Sequence, residues 1–238
     1  GYNYDYYDKF GLRDNISRTS AGLRYVQHDK ALEAGYDAGN MNSLVIVQEQ
    51  GHTVRCLKNF YTLTPEWLPE LGKQFRDFFT PQKFKVLNLR YDRAANNFRK
   101  AKQDFASQLK HAIEFDDMNR PSGWRVNLMS IGAGNIGHDE EYDLMNQMMG
   151  EKNPKLPKLL IDKYECRELK SSLELAPMEK DSRGKITKVK KSEKLAVKRL
   201  PMESTNMSDA FKFAICTRKY LQIARQVKIQ RIAGLTQL

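Results

Sequence analysis

The sequence predicts an α/β domain built on one mixed sheet with helices on both faces. Three observations predict it. Short apolar or alternating runs separated by turn residues occupy positions 33–61 and read as three consecutive antiparallel strands. From there to about residue 175, helical spacing alternates with short strand-like runs, the pattern of parallel strands joined by helices. The 238 residues are 40% hydrophobic and 29% charged, enough for one large domain, or two small ones, with a sizeable core.

Residues 1–30 are rich in Tyr, Asp and Arg without a clear period, and read as a linker or N-terminal extension. Tyr2, Tyr4, Tyr6 and Tyr7 could stack on bases; packing on the domain surface is the plainer reading. The main domain is expected over 31–225. Its first strand is short and ends near Asp37. Ala38 to Asn42 is turn chemistry. Ser43 to Gln48 is apolar and partly β-branched, a buried strand. Thr53 to Tyr61 alternates as a third, and the short turns between the three imply a meander. Thr64-Pro65-Glu66 carries the signals of a helix start. Trp67/Leu68, Leu71, Phe75 and Phe78/Phe79 then line one face of that helix, with Trp67 and Trp124 expected in the core.

Phe84 to Tyr91 is a fourth strand, expected parallel to the first because a helix precedes it. A helix follows over about 99–115, then a strand over Trp124 to Ile131. The glycine-rich turn Gly132 to Gly137 superficially resembles a dinucleotide fingerprint. It stands too late in the chain, before an acidic helix that would repel phosphate. That helix spans about 139–149; a short strand follows at Lys158 to Asp162 and a helix at Tyr164 to Leu175. A last helix is expected to start at Asp209 and run past Tyr220, with a frayed tail over 226–238. Three antiparallel strands followed by alternating helices and parallel strands is the RNase H-like arrangement; another mixed α/β sheet is the alternative.

The net charge of +11 favours a polyanionic partner, most simply nucleic acid. Nine of the twenty residues 180–199 are Lys or Arg, opposed only by Asp181 and Glu193. Asp181-Ser182-Arg183-Gly184 is a turn signal between two short extended runs, which predicts a basic hairpin. Lys185, Lys188, Lys190, Lys191 and Lys194 are its candidate DNA-phosphate contacts; a solvated loop is the plain alternative. The three cysteines lack metal-ligand spacing and an even count, which argues against a zinc site and a disulfide framework and fits a reducing cytosol. The four histidines show no ligand spacing either. No apolar run approaches the ~20 residues of a membrane span, so no membrane association is expected. Gly1 in place of Met suggests a domain of a longer protein. No GxxxxGK[ST] occurs, so no ATP hydrolysis is expected.

Three aspartates stand where a metal site could form: Asp37 and Asp92 at the ends of neighbouring parallel strands, and Asp209 in the first turn of a helix. Hard divalent cations take carboxylate oxygens, and two ions ~4 Å apart can activate water and stabilise the leaving oxygen of a phosphodiester. Gly39 would let the backbone turn tightly past the metal. Each aspartate also has a plain reading: Asp37 as a turn residue, Asp92 as a strand-end charge, Asp209 as an acid favoured by the helix dipole.

Gly35-Tyr36-Asp37-Ala38-Gly39-Asn40, Leu89-Arg90-Tyr91-Asp92-Arg93-Ala94-Ala95-Asn96-Asn97 and Ser204-Thr205-Asn206-Met207-Ser208-Asp209-Ala210-Phe211 together resemble the C-terminal nuclease domain of the large terminase subunit of tailed bacteriophages. The Lys-rich run from Lys180 to Lys194 adds to the resemblance, which spans roughly residues 30–222. It implies an RNase H-like endonuclease that cuts double-stranded concatemeric DNA during packaging, leaving a 5′-phosphate and a 3′-hydroxyl. It implies two Mg²⁺ or Mn²⁺ ions held by Asp37, Asp92 and Asp209, with Asp162 a possible further ligand. It also implies an ATPase motor ahead of this domain, the portal protein and small terminase subunit as partners, and the cytoplasm of an infected bacterium as the workplace. The isolated domain is expected to be monomeric. Some relatives carry glutamate where this chain has Asp92. Two other functions fit the same residues: a junction resolvase of the same fold, and a non-catalytic DNA-binding or docking module.

Overall fold

A computed structural model describes residues 21–64, 67–92, 104–130, 136–175, 178–180, 182, 186–188 and 191–235. Several sequence expectations lie outside these residues: the tyrosines at 2–7, the Pro65-Glu66 helix signal, positions 93–97 of the second motif, the start of the helix expected at 99, most of the glycine-rich turn, Lys185 and Lys190.

After a single helical turn, α1 (Ala21–Arg24), the meander forms as expected: β1 (Leu32–Asp37), β2 (Met41–Gln50) and β3 (Thr53–Leu63). Helix α2 (Leu68–Phe78) leads to β4 (Val86–Tyr91), and α3 (Phe105–Glu114) leads to β5 (Arg125–Leu128). Then come α4 (His138–Met149), β6 (Lys158–Ile161) and α5 (Arg167–Glu174). The sheet order is β5-β4-β1-β2-β3-β6, with β1–β2–β3 antiparallel and β4, β5 and β6 each parallel to the neighbour it joins. This is the expected mixed sheet.

Both faces are covered. Leu32, Ala34 and Tyr36 of β1 pack with Leu71 and Phe75 of α2 and Leu109 and Ile113 of α3. On the other face, Met41, Val45 and Val47 of β2 pack with Leu144 and Met148 of α4, Leu169 of α5, and Met207 and Phe211 of α7 (Asn206–Ile215). Strand alternation explains the division: consecutive side chains point to opposite faces. Gly35 sits where α7 crosses β1. A Cβ there would lie 1.9 Å from the Ala210 carbonyl oxygen and 2.5 Å from the Ala214 nitrogen. Only glycine lets the helix backbone rest directly on the strand.

Four expectations are corrected. Helix α2 begins at Leu68, and the proline in its first turn is Pro69. Trp67 precedes the helix in extended conformation, 51% exposed, its ring 6.4 Å from that of Phe105; Trp124 is buried as expected. Helix α7 begins at Asn206, three residues before Asp209, and stops at Ile215. The chain then turns at Cys216, the Thr217 hydroxyl accepts from the Tyr220 amide at 3.4 Å, and a new helix α8 (Arg218–Leu235) begins, continuing well beyond residue 226. Gly39 makes no close approach, the nearest atom to a Cβ there being Met41 O at 3.8 Å.

The basic hairpin is present as β7 (Met178–Lys180) paired antiparallel with β8 (Ile186–Lys188). Lys188 lies on β8. Lys191 and Lys194 lie beyond the hairpin, exposed on a 3₁₀ turn (Lys191–Lys194). A second such turn (Val197–Arg199) and the short α6 (Leu200–Glu203) lead into α7. Among the described residues, no helix is long and apolar enough to cross a membrane.

Candidate metal centre

Asp37 is the last residue of β1, half-buried, with Ser43 of β2 directly opposite. Asp92 follows Tyr91, the last residue of β4, and is exposed. Tyr36 and Tyr91 are paired across the parallel β1–β4 ladder. The two aspartates therefore leave the same sheet edge on adjacent strands, whose spacing is about 5 Å. The Tyr91 amide donates to the buried Ser130 hydroxyl at 2.9 Å, which fixes the backbone just before Asp92.

Asp209 stands on the helix that crosses β1 at Gly35. It lies in the first turn of α7, adjoining Ala210, the residue that rests on Gly35. Its amide bonds back to Thr205 O at 3.3 Å, and the residue is only 4% exposed. The Lys212 ammonium lies 3.2 Å from Asp209 Oδ1 and 3.1 Å from Glu141 Oε2. Glu141, in the first turn of α4, is 7% exposed and also lies 3.2 Å from His138 Nδ1. Burial works against a charged Lys212, but the Asp209 and Glu141 carboxylates outweigh it and raise the ammonium's pKa well above the usual lysine range. Burial, then the Glu141 charge, pushes the nearby Cys216 thiol up. Backbone contacts place β8 beside α4, so the basic hairpin borders the helix that carries Glu141.

Asp162 stands apart. It follows Ile161 of β6, and β2 and β3 separate β6 from β1. Three strand spacings put roughly 14 Å of sheet between them. Its Oδ1 accepts from the Tyr164 and Glu165 amides at 2.9 and 3.0 Å, capping the turn into α5. Its Oδ2 is buried without a hydrogen-bond partner. Burial dominates the backbone bonds and raises its pKa.

Fit to a divalent metal is judged from the donors. They are all hard oxygens: Asp37 and Asp92 at one edge, Asp209 on the helix crossing β1, and opposite Asp37 the buried Ser43 hydroxyl, which has no hydrogen-bond partner. A cation, the Lys212 ammonium, already rests on Asp209. Oxygen donors of this kind are what hard divalent cations take. The set is not closed: among the described residues, no three His, Cys, Asp or Glu side chains converge tightly enough to hold an ion.

No family model and no curated protein matches the sequence. Solved structures match the fold. The large terminase of a thermophilic bacteriophage, solved in complex with ATP-gamma-S, is 14% identical with a TM-score of 0.54, covering 92% of this chain and 46% of that one. The terminase nuclease domain of human cytomegalovirus, soaked with Mn, is 10% identical with a TM-score of 0.52, covering 92% of this chain and 97% of that one. This chain has the fold of a terminase nuclease domain. The terminase-nuclease fold is RNase H-like, as the strand order predicts. The chain spans about half, 46%, of the phage protein's length.

Sequence reasoning missed Glu141 and Lys212. Lys212 had a local signal, since residues three apart share a helix face. Glu141 had none beyond its place among three acids opening α4.

Proposed function

We propose that this chain is the nuclease domain of a viral genome-packaging terminase, a divalent-metal-dependent endonuclease acting on double-stranded DNA. One observation carries the proposal most: the fold corresponds over nearly the whole of both chains to a terminase nuclease domain, with Asp37 and Asp92 at one sheet edge and Asp209 on the helix crossing it. The manganese soak of the cytomegalovirus domain supports divalent-metal dependence. Asp37, Asp92 and Asp209 would hold Mg²⁺ or Mn²⁺, two ions in the full site. Bound there, the metal supplies a water of lowered pKa and neutralises charge at the leaving oxygen.

The protein's own part is to fix the carboxylates and to guide the DNA. Water oxygen bonds to phosphorus, the P–O3′ bond breaks, and the 3′ oxygen takes a proton, leaving a 5′-phosphate and a 3′-hydroxyl. The basic hairpin beside α4, with Lys188 on it and Lys191 and Lys194 just beyond, together with Lys185 and Lys190, would contact backbone phosphates. A motor ahead of this domain, the portal and the small terminase subunit belong to the same proposal, as does work in the cytoplasm of an infected bacterium.

The test is incubation of supercoiled plasmid with the purified chain and Mn²⁺, beside EDTA and Asp209→Asn controls. Metal-dependent nicking and linearisation should fall more than ~100-fold in Asp209→Asn, beyond the effect of losing an outer-shell partner. Equal cutting by the variant would remove Asp209 from the site. A strong preference for branched over linear DNA would replace the terminase reading with a resolvase.

A further inference from the structure

We infer that Lys212 is a built-in counter-ion to Asp209, clamped by Glu141 and displaced from Asp209 when a divalent cation binds. The inference rests on the proposed metal-binding role of Asp209.

The geometry is specific. One ammonium bridges two carboxylates that arrive on different helices, Asp209 on α7 and Glu141 on α4, at 3.2 and 3.1 Å. Both carboxylates are nearly buried, at 4% and 7% exposure, and the lysine side chain is itself only 17% exposed. Carboxylates held this far out of water are costly without a counter-charge. Lys212 supplies a cation to both. It therefore explains how Asp209 can be held over β1 although, among the described residues, no three acids converge to hold an ion.

The same contact obstructs metal binding. The ammonium lies on Asp209 Oδ1, an oxygen a cation would use, and a divalent ion beside it meets like charge at short range in a partly desolvated setting. Glu141 gives the displaced lysine somewhere to remain. Its Oε2 already accepts from Lys212, so the ammonium can leave Asp209 and still be paired. His138 on Glu141 and Cys216 close by also face this cluster. The site is thus a cation exchanger: monovalent ammonium out, divalent metal in.

The test is calorimetric titration of the full chain with MnCl₂, comparing wild type with Lys212→Met and Lys212→Arg. Thermal melts establish folding first. Lys212→Met should bind Mn²⁺ at least tenfold more tightly, whereas Lys212→Arg, which keeps the competing charge, should stay within a few-fold of wild type. Equal or weaker binding by Lys212→Met overturns the inference while leaving the metal site standing. No binding by any of the three overturns the metal site itself.

A readout without mutation guards against a misfolded variant. Acylation of Lys212 by a lysine-reactive ester, mapped by peptide mass spectrometry, should rise several-fold on adding Mn²⁺ to wild type. Unchanged labelling at saturating metal would also overturn displacement.

Discussion

Gly35→Ala tests the contact that sets Asp209 over the sheet. The added methyl would stand 1.9 Å from Ala210 O and 2.5 Å from Ala214 N, both backbone atoms of α7. Neither can rotate away, so strand and helix must part by about 1.5 Å, the shortfall of the 1.9 Å approach from ordinary carbon–oxygen contact at ~3.4 Å. Overpacking of this kind costs ~1–3 kcal/mol and occasionally more. Because the clash is with backbone on both contacts, the upper end of that range, about 3 kcal/mol, is expected. That lowers Tm by about 6–12 °C in a domain of this size. The shift also carries Asp209 away from Asp37 and Asp92, and a misplacement near 1 Å can reduce a rate by ~100-fold. The assay is urea unfolding followed by Mn²⁺-dependent plasmid cleavage at matched folded fraction. Gly39→Ala is the control: only Met41 O, at 3.8 Å, lies near its added methyl, so it should stay within about 0.5 kcal/mol of wild type. Wild-type stability and cleavage in Gly35→Ala would refute the placement of α7 on β1.

Away from the metal centre, burial raises the pKa of Asp162 despite its backbone bonds, so the folded state holds that proton more tightly than the unfolded chain; its stabilising contribution is complete below ~pH 3.9 and is lost as pH rises through the raised value. Asp162→Asn keeps an acceptor for the Tyr164 and Glu165 amides and removes the buried charge, so its stability to urea should gain on wild type as pH rises above ~3.9, by about 1 kcal/mol; a wild-type advantage that grows with pH would refute this. At the open edge of the sheet, the Val126 amide donates to Glu114 Oε1 and its carbonyl accepts from Lys110 Nζ, each at 2.8 Å. Glu114→Ala should bare this strand edge, lower stability by ~1–3 kcal/mol and bring concentration-dependent aggregation, read by light scattering; a monodisperse variant at high concentration would show that the edge needs no cover.

The strands are legible in the sequence because their signals are local. β2 is a short apolar run and β4 alternates, and both patterns survive without knowledge of the partner strand. Element ends are less so. The break between α7 and α8 depends on Thr217 accepting from the Tyr220 amide, while the periodicity of the apolar residues carries on across it. Trp67 departs from expectation for a related reason. Its helical spacing to Leu71 is genuine, but the chain is still extended at Trp67, so the spacing never becomes a shared face.

The candidate site divides along the same line. Asp37 and Asp92 share an edge because each closes an apolar or alternating run that the sequence shows locally; parallel pairing through Tyr36 and Tyr91 supplies the rest. Asp209 needs one more fact, that a glycine at 35 lets α7 lie on the strand with no side chain between them. Glu141 could not be read at all. It enters from a helix far earlier in the chain than Asp209, and only the packing of α4 and α7 against the same sheet face brings it to Lys212. Sequence spacing can thus expose the carboxylates that a strand end presents and the lysine one helical turn from Asp209, but not the second carboxylate that this lysine rests on. A substitution at Glu141 would look neutral from the sequence. In the fold, it would take away the second carboxylate that Lys212 rests on and leave the ammonium to Asp209, tightening the contact that metal has to break.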